Sequence, residues 1–313
     1  MLDTSPWALA TLLSKLVAYA GFVSLAGTLF VFWLSARTAN SAAQSSSPGW
    51  SPALRARLIS RSLVLGSAAL VALLLYFLLQ VGQINQNGLR GMVDSFMAGI
   101  LLRSSVGYGL LLRAAALALL LAGVWQARHA LLMPGAMRLP PRLLVSWLAG
   151  TLLFAVSFAV LGHVASLSLP AQIAIVLHTL AISLWVGALS ALYLLCEREP
   201  ADRVLPLLQR YGLCGWGILG ALLLSGVFLL TQLLQGPADL LTTPYGRVLA
   251  GKLALVLGLL GLGALNKFHL VPAVARNGSE RLRQSIAFER VLAVLVLVLT
   301  AALTSLTGPA HMG

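Results

Sequence analysis

Long apolar runs separated by short polar linkers dominate the chain from one end to the other. Each run holds about 20 apolar residues or more, the length that a helix needs to cross a hydrocarbon core of about 30 Å. A transmembrane barrel is excluded, because its strands alternate apolar and polar positions over about 10 residues. The pattern predicts an all-α polytopic membrane helix bundle with eight transmembrane helices. The eight runs cover residues 8–34, 60–82, 107–127, 143–162, 172–195, 211–234, 247–266 and 287–307.

The composition excludes a soluble domain. Hydrophobic residues make up 59% of the chain and charged residues only 9%, with a mean hydropathy of +0.93. This amount of apolar surface exceeds what one soluble core can bury. We therefore expect the lipid bilayer to be the main partner of the chain.

The positive charge is placed in every second linker. The formal net charge is +13, and most arginines lie in the linkers after the first, third, fifth and seventh runs. Arginine-rich linkers face the cytoplasm, so both termini are predicted to lie outside. We interpret this charge as a topology signal and expect no nucleic-acid partner. The first run is too long, and its leader MLDTSPW too acidic, for a cleaved signal peptide, so it is predicted to be retained.

Two stretches in different halves of the chain resemble each other. SSVGYGLLLRAAALALLLAG parallels TPYGRVLAGKLALVLGLLG, so that Gly107 corresponds to Gly246 and Arg113 to Lys252. Because eight spans would give both halves the same orientation, we predict a parallel 4+4 internal repeat. The predicted units are a first repeat up to run three with its linker, run four with its outer linker, and a second repeat. They cover residues 1–142, 143–170 and 171–313.

Two histidines lie in or next to neighbouring runs. His163 follows run four and His178 lies inside run five, with Pro170 in the short linker between them. A histidine within a span is a candidate functional residue, and an interhelical hydrogen bond of roughly 1 kcal/mol is the alternative. We predict that both form an outer metal site, to which the His311–Met312 tail contributes unless that terminus is frayed. Trp185 lies two helical turns beyond His178, where it could close the site from below.

Soft ligand atoms occur on both sides of the predicted bundle. Met92 and Met97 lie in the longest outer linker, and thioethers suit monovalent copper. Cys196 and Cys214 lie at the inner ends of runs five and six, where a reducing cytosol disfavours a disulfide. All four are also ordinary packing residues, so both roles stay open.

Three cationic residues, Lys15, Arg113 and Lys252, lie in the outer third of their runs. No acidic residue occurs at the same depth, and buried positive charge without a counter-charge is expensive. Either the three side chains extend to the lipid headgroups, or they bind an anion or the carboxylates of a cofactor between the helices.

Motifs of several other protein classes are absent from the sequence. It contains no Walker motif, CxxC metal relay or phosphorylation motif that would indicate ATP-driven pumping. A Gly-rich dinucleotide loop and a Ser–His–Asp arrangement are absent as well. We therefore expect a protein that is not an enzyme.

Three stretches in combination resemble one known family. GHVAS after run four, LHTLAISLWVGAL in run five and TTPYGRVLAGKLALVLGLLGLGALNKFHLVP across run seven are similar to the copper resistance D family (CopD, PcoD and related proteins). The resemblance is close in the second half and reaches the first half through the repeat. The first span departs from the family, because Ala18 stands where many members have a histidine, which argues against a symmetric two-site arrangement.

The resemblance implies an eight-helix protein of the bacterial inner membrane that moves copper, as Cu(I) or Cu(II), inward from the periplasm. A small periplasmic copper-binding protein is an expected partner, and both termini would be periplasmic. The motif residues of the family fall on His163, His178, Trp185, Tyr245, Gly246, Arg247 and Lys252.

Two other functions stay open, and one of them would use the same residues. A haem-binding or redox membrane protein would employ His163 or His178 as an axial ligand and place haem propionates against Lys15, Arg113 and Lys252. The other alternative is a membrane assembly partner without transport activity. Copper transport accounts best for the histidines and methionines, although the three cations would repel a permeating metal ion.

Overall fold

The computed structural model describes residues 6–41, 49–133, 139–161, 166–234, 236 and 238–303. This part of the chain is helical and contains no strand, which confirms the all-α membrane bundle. A π-helical segment, Asn266–Leu270, follows the tenth α-helix. The α-helices are α1 (Pro6–Ser41), α2 (Pro52–Asn85), α3 (Gly88–Gly91), α4 (Ser95–Leu102), α5 (Ser105–Leu132), α6 (Pro141–Val156), α7 (Leu169–Arg198), α8 (Ala201–Leu233), α9 (Asp239–Thr242), α10 (Pro244–Leu265), α11 (Val271–Asn277) and α12 (Glu280–Leu303).

Among the described residues, seven helical stretches are long and apolar enough to cross a membrane, which confirms a polytopic protein. The predicted run 143–162 corresponds to α6, which has 16 residues and is shorter than the usual span of about 20. Beyond Val156 the chain continues in tight turns, in which the Ala159 N–H donates to the Val156 carbonyl (2.9 Å). The count of eight spans, the internal repeat and the three units stay predictions.

Prolines mark the beginnings of several long helices. Pro52, Pro141, Pro170 and Pro244 lie in the first turns of α2, α6, α7 and α10. At these positions a proline loses no helical hydrogen bond, and its fixed φ suits the helix. The sequence thus specifies where these four helices begin.

Successive long helices run in opposite directions. The start of α1 contacts the end of α2, where the indole N–H of Trp7 donates to the Leu79 carbonyl (3.0 Å). At the opposite end, the Ser51 N–H donates to the Glu199 carboxylate (2.7 Å) and joins the start of α2 to the end of α7. Following the predicted topology, we call the end with Trp7 the outer end and the end with Glu199 the inner end.

Helix α1 lies at the centre of the bundle. In its most apolar window 72% of the residues are buried, against 11% for the stretch Tyr245–Asn277. It crosses α7 at two glycines: a Cβ on Gly27 would overlap the backbone of Gly187, and a Cβ on Gly187 would overlap the Val23 carbonyl. Gly187 thus admits a neighbouring helix at close range, and that helix is α1.

Candidate metal site

His178 lies in the outer half of α7, at its contact with α8. Its Nδ1 is 3.2 Å from the Oγ of Ser225, and its Cε1 is 3.3 Å from the position that a Cβ on Gly226 would occupy. The side chain is half-buried, whereas Ser225 is buried. Helix α8 therefore supplies a polar partner for the imidazole and, at Gly226, the space for its ring.

Ser225 determines which ring nitrogen of His178 carries the proton. Its hydroxyl donates to the Ala221 carbonyl (2.5 Å), so it accepts from the imidazole. The Leu222 carbonyl, 3.2 Å from Ser225 Oγ, is a second acceptor for the same hydroxyl proton. The proton is thus assigned to Nδ1, and Nε2 keeps the lone pair that a metal ligand needs.

The three predicted cations form two separate groups. Lys252 on α10 is half-buried and lies close enough to His178 for the two side chains to interact electrostatically. Lys15 and Arg113 lie in the first half of the chain, where they interact with each other. The structure therefore places one cation beside the histidine and two among other helices.

Aromatic rings surround the pair in the first half. The Arg113 guanidinium lies 5.2 Å from the ring centre of Tyr19 and 4.5 Å from that of Phe158, and its Nε donates to Ser157 Oγ (3.0 Å). Both Lys15 and Arg113 are buried, at 7% and 5% exposure, rather than extended towards lipid headgroups. Cation–π contacts compensate part of the cost of burying these charges.

The Thr-Pro-Tyr-Gly-Arg stretch has a structural role at the start of α10. The Thr243 hydroxyl accepts from the Gly246 N–H (2.9 Å) and caps the helix. Gly246 is required there, because a Cβ would overlap the carbonyl of Asp239. Tyr245 is half-buried and Arg247 is exposed, so Arg247 is available to ligands and lipid alike.

The candidate soft ligands also contribute to packing. Met92 lies against Gly82, and Met97 packs on the apolar core, while its N–H donates to Asp94 at the start of α4 (2.8 Å). Cys196 is buried near the inner end of α7 and Cys214 is half-buried on α8, and both are free thiols. Cys214 is thus the more accessible thiol.

Trp185 lies on the wall of a separate cavity in the inner half of the bundle. Its backbone carbonyl accepts from the Tyr211 hydroxyl (3.1 Å), and its ring faces Gly263 on α10. His178 does not line this cavity. The predicted role of Trp185 as the floor of the histidine site therefore stays a prediction.

Several predicted ligands lie outside the described residues: His163, His311 and Met312. Within the described ranges, no group of three or more His, Cys, Asp or Glu side chains could hold a metal ion. His178 would therefore need ligands from the other predicted positions to complete a metal site.

Two potentially functional residues were not identified among the sequence candidates. Ser225 gives no signal in the sequence, because serine is a common packing residue of membrane helices. Glu289 does give a signal, since an acidic residue within an apolar run is by default a functional candidate.

Comparisons with known proteins agree with the resemblance inferred from the motifs. The family described as "Copper resistance protein D" matches residues 205–303. The "Copper transport protein CutJ" of Bacillus subtilis (strain 168) is 31% identical over 137 residues, which cover 42% of this chain and 25% of that protein. The chain thus spans about a quarter of the length of this relative. No solved structure matches the chain.

The similarity to the copper resistance D family is confirmed for residues 205–303. The matched residues include Ser225, which contacts the imidazole, and Lys252, which interacts with it electrostatically, but not His178 itself.

Proposed function

We propose that this CopD-like chain is a copper transporter of the bacterial inner membrane, which moves copper from the periplasm towards the cytoplasm through a site at His178. Both termini lie in the periplasm in this proposal. The observation that supports it most directly is the His178–Ser225 pair, which leaves one imidazole nitrogen free against a helix that matches the copper resistance D family. Transport, rather than an enzymatic reaction, is the proposed activity.

The proposed ligand set combines residues that the structure describes with three that are known only from the sequence, His163, His311 and Met312. His178 Nε2 is the central ligand, His163 the second, and the His311–Met312 tail delivers the ion from outside. Met92 and Met97 are additional outer ligands, and Cys196 and Cys214 receive the ion on the inner side. Imidazole, thioether and thiolate groups are those that copper ions prefer.

Lys252 has a defined role in this proposal. A cation beside His178 opposes a bound copper ion, so it weakens binding and favours release. A conducting site must bind its ion strongly enough for entry and weakly enough for exit. Lys252 thus keeps the occupancy of the site by copper transient, whereas a site for copper storage would have a carboxylate at this position.

Copper is favoured over haem by the packing around the imidazole. The His178 ring is in close contact with α8 at Ser225 and Gly226. A pocket for a cofactor-sized ligand has a volume of about 300 Å³ or more, and the cavity that contains Trp185, at about 140 Å³, is smaller and lacks His178. A single ion requires much less space.

Reconstitution into liposomes tests the proposed function. Purified protein with an encapsulated copper-sensitive dye should accumulate copper at a rate that increases with the amount of protein. Protein-free liposomes and zinc in place of copper provide the controls. Copper entry no faster than in protein-free liposomes, together with no copper bound by the purified protein, would contradict the proposal.

The Lys252→Met variant should bind copper more tightly and transport it more slowly. Removal of a neighbouring positive charge relieves roughly 1 kcal/mol of repulsion, which corresponds to about fivefold tighter binding. Equilibrium titration of the purified variant measures this effect. Arg276→Gln, which removes an exposed cation from α11 at the inner end of the bundle, should leave the affinity unchanged.

A further inference from the structure

A cavity of about 140 Å³ lies in the inner half of the bundle, between α7, α8, α12 and the end of α10. Its wall is mostly apolar and includes Leu189, Leu208, Leu260 and Ile286. Two polar side chains from different helices, Asn266 and Glu289, also line it. A cavity of this volume is too small for a cofactor-sized ligand, but it can hold water molecules at its polar groups.

Both polar side chains are buried and have an oxygen without a hydrogen-bond partner. Glu289 is 3% exposed and Asn266 is 8% exposed. The two side chains are close enough to interact, and neither Glu289 Oε1 nor Asn266 Oδ1 has a hydrogen-bond partner. A buried acceptor without a donor destabilises the fold, so stability does not explain the pair.

The π-helical segment brings Asn266 to this position. Segments of this type are rare and occur frequently at functional sites. Asn266 begins the segment and is buried, whereas Phe268 is exposed on the outside of the bundle. Pro272, in the first turn of α11, lacks the N–H that a regular α-helix would use here, which contributes to the irregular winding.

No cation neutralises Glu289 among the described residues, since none of the ion pairs found there includes it. Lys267 lines the same cavity, but its Nζ donates to the Gly212 carbonyl (2.6 Å) and lies 3.8 Å from the ring centre of Trp216. Arg290, the next residue on α12, faces the ring of Tyr193 at 4.8 Å.

The remaining neighbours of Glu289 provide few titratable groups. Helix α8 contributes Tyr211, whose hydroxyl donates to the Trp185 carbonyl. The residues that α7 and α10 contribute to the cavity wall have no titratable side chain; they are Trp185, Leu189, Leu192, Leu260, Gly263 and Ala264. The carboxyl group of Glu289 is thus the acidic group on the cavity wall, with a tyrosine and an engaged lysine around it.

The chemistry of the wall favours a proton over a metal ion. No sulfur or imidazole group lines the cavity, and these are the groups that copper prefers. Two oxygens from Glu289 and Asn266 provide too few ligands for a hard divalent ion, which takes six or more. An intramembrane carboxyl group without a cationic partner is typical of proton relays.

We propose that Glu289, oriented by Asn266, binds and releases a proton in the inner half of the bundle, and thereby couples copper movement to the proton gradient. The carboxylate takes one proton from one side of the membrane, and the resulting carboxyl group donates to Asn266 Oδ1 or to a water molecule. The same proton leaves to the other side, with no change of oxidation state. The coupling rests on the proposed transport function, whereas proton binding by Glu289 does not.

Proteoliposomes with and without a pH gradient test the coupling. In the wild type, the gradient should change copper uptake by about fivefold or more, the lower end of typical coupling between two sites. Glu289→Gln should take up copper at a rate that is independent of the gradient, with unchanged copper affinity at His178. Glu280→Gln, an exposed glutamate at the start of the same helix that pairs with Arg283, should behave as the wild type.

Infrared difference spectra between buffers of about pH 6.5 and about pH 9, a range in which exposed carboxylates stay ionised, test proton binding without copper. A carboxylic acid band should appear in the wild type and in Glu280→Gln, and should be missing in Glu289→Gln. Absence of the band in the wild type, or its persistence in Glu289→Gln, would overturn the inference. Copper uptake by the wild type that does not depend on the pH gradient would overturn the proposed coupling but not the proposed copper transport. An absence of all copper uptake would instead contradict the proposed function, while the spectra would still decide whether Glu289 binds a proton.

Discussion

The His178→Ala variant is expected to lose copper binding and uptake by about 100-fold or more while it stays folded in the membrane. Loss of a residue that only orients a metal ligand costs about 10–100-fold in affinity, so loss of the central ligand should cost at least as much. The half-buried ring is not part of the apolar core around α1, so the fold should tolerate its removal. Copper stoichiometry and uptake into proteoliposomes measure the effect.

Three further variants separate a ligand role from a packing role. Ser225→Ala removes the acceptor that holds the Nδ1 proton and should weaken copper binding by about tenfold. His163→Ala should weaken it as well, and removal of the His311–Met312 tail should have the smallest effect. His129→Ala, which changes an exposed histidine at the inner end of α5, should have none. Wild-type copper stoichiometry and uptake in the His163, His178 double alanine variant would refute the site.

The Gly187→Val variant is expected to destabilise the bundle more than the single changes at His178, Ser225, Lys252 and Glu289. A side chain at this position would overlap the Val23 carbonyl of α1, and backbone cannot move aside as a flexible side chain can. Overpacking costs about 1–3 kcal/mol when neighbours can shift, so a rigid crossing should reach or exceed the upper end. Unfolding of the purified protein in a denaturing detergent measures the loss.

Gly220→Val provides the matched control for the crossing. Gly220 lies in the middle of α8, and a Cβ there would have no neighbour within 4 Å. Both variants introduce the same β-branched residue into a long helix, so any difference between them reports the contact with α1. Equal stability of the two variants would show that α1 and α7 do not meet at this glycine in the membrane.

The positions of the helices followed from the sequence, but their lengths did not. The apolar runs at 8–34 and 60–82 correspond to α1 and α2, which extend to Pro6–Ser41 and Pro52–Asn85. The runs report only the part of each helix that matches the hydrocarbon core. The extra turns contain polar residues such as Arg55, whose guanidinium donates to the Met133 carbonyl (2.5 Å) at the inner end.

The contacts between helices could not be predicted from hydrophobic periodicity. In a membrane, lipid-facing and protein-facing positions are both apolar, so the sequence does not reveal which face of a helix turns inward. Hence the sequence does not show which helix packs against Gly187, and the structure identifies it as α1. The grouping of Lys15 with Arg113 and the contact of His178 with Ser225 depend on the same unknown rotations.

The position of Asn266 was hidden for a different reason. Successive residues of a regular α-helix are rotated by about 100° around the helix axis, and a π-helical segment changes this rotation at one point. The sequence contains Pro272 as the only local indication of such a change. The contact between Asn266 and Glu289 therefore emerged only from the three-dimensional arrangement.

The central position of α1 affects how the chain is made. It is the earliest of the described helices to be synthesised, yet its glycine crossing requires α7, which is made much later. The hydrogen bond between Ser51 and Glu199, which closes the same region, joins residues 148 positions apart. At roughly 5–20 residues per second, ribosomes need about 7–30 seconds to deliver the second partner. During that interval the glycine face of α1 has only lipid or an insertion factor to contact, so the centre of this bundle is assembled only after α7 has been made.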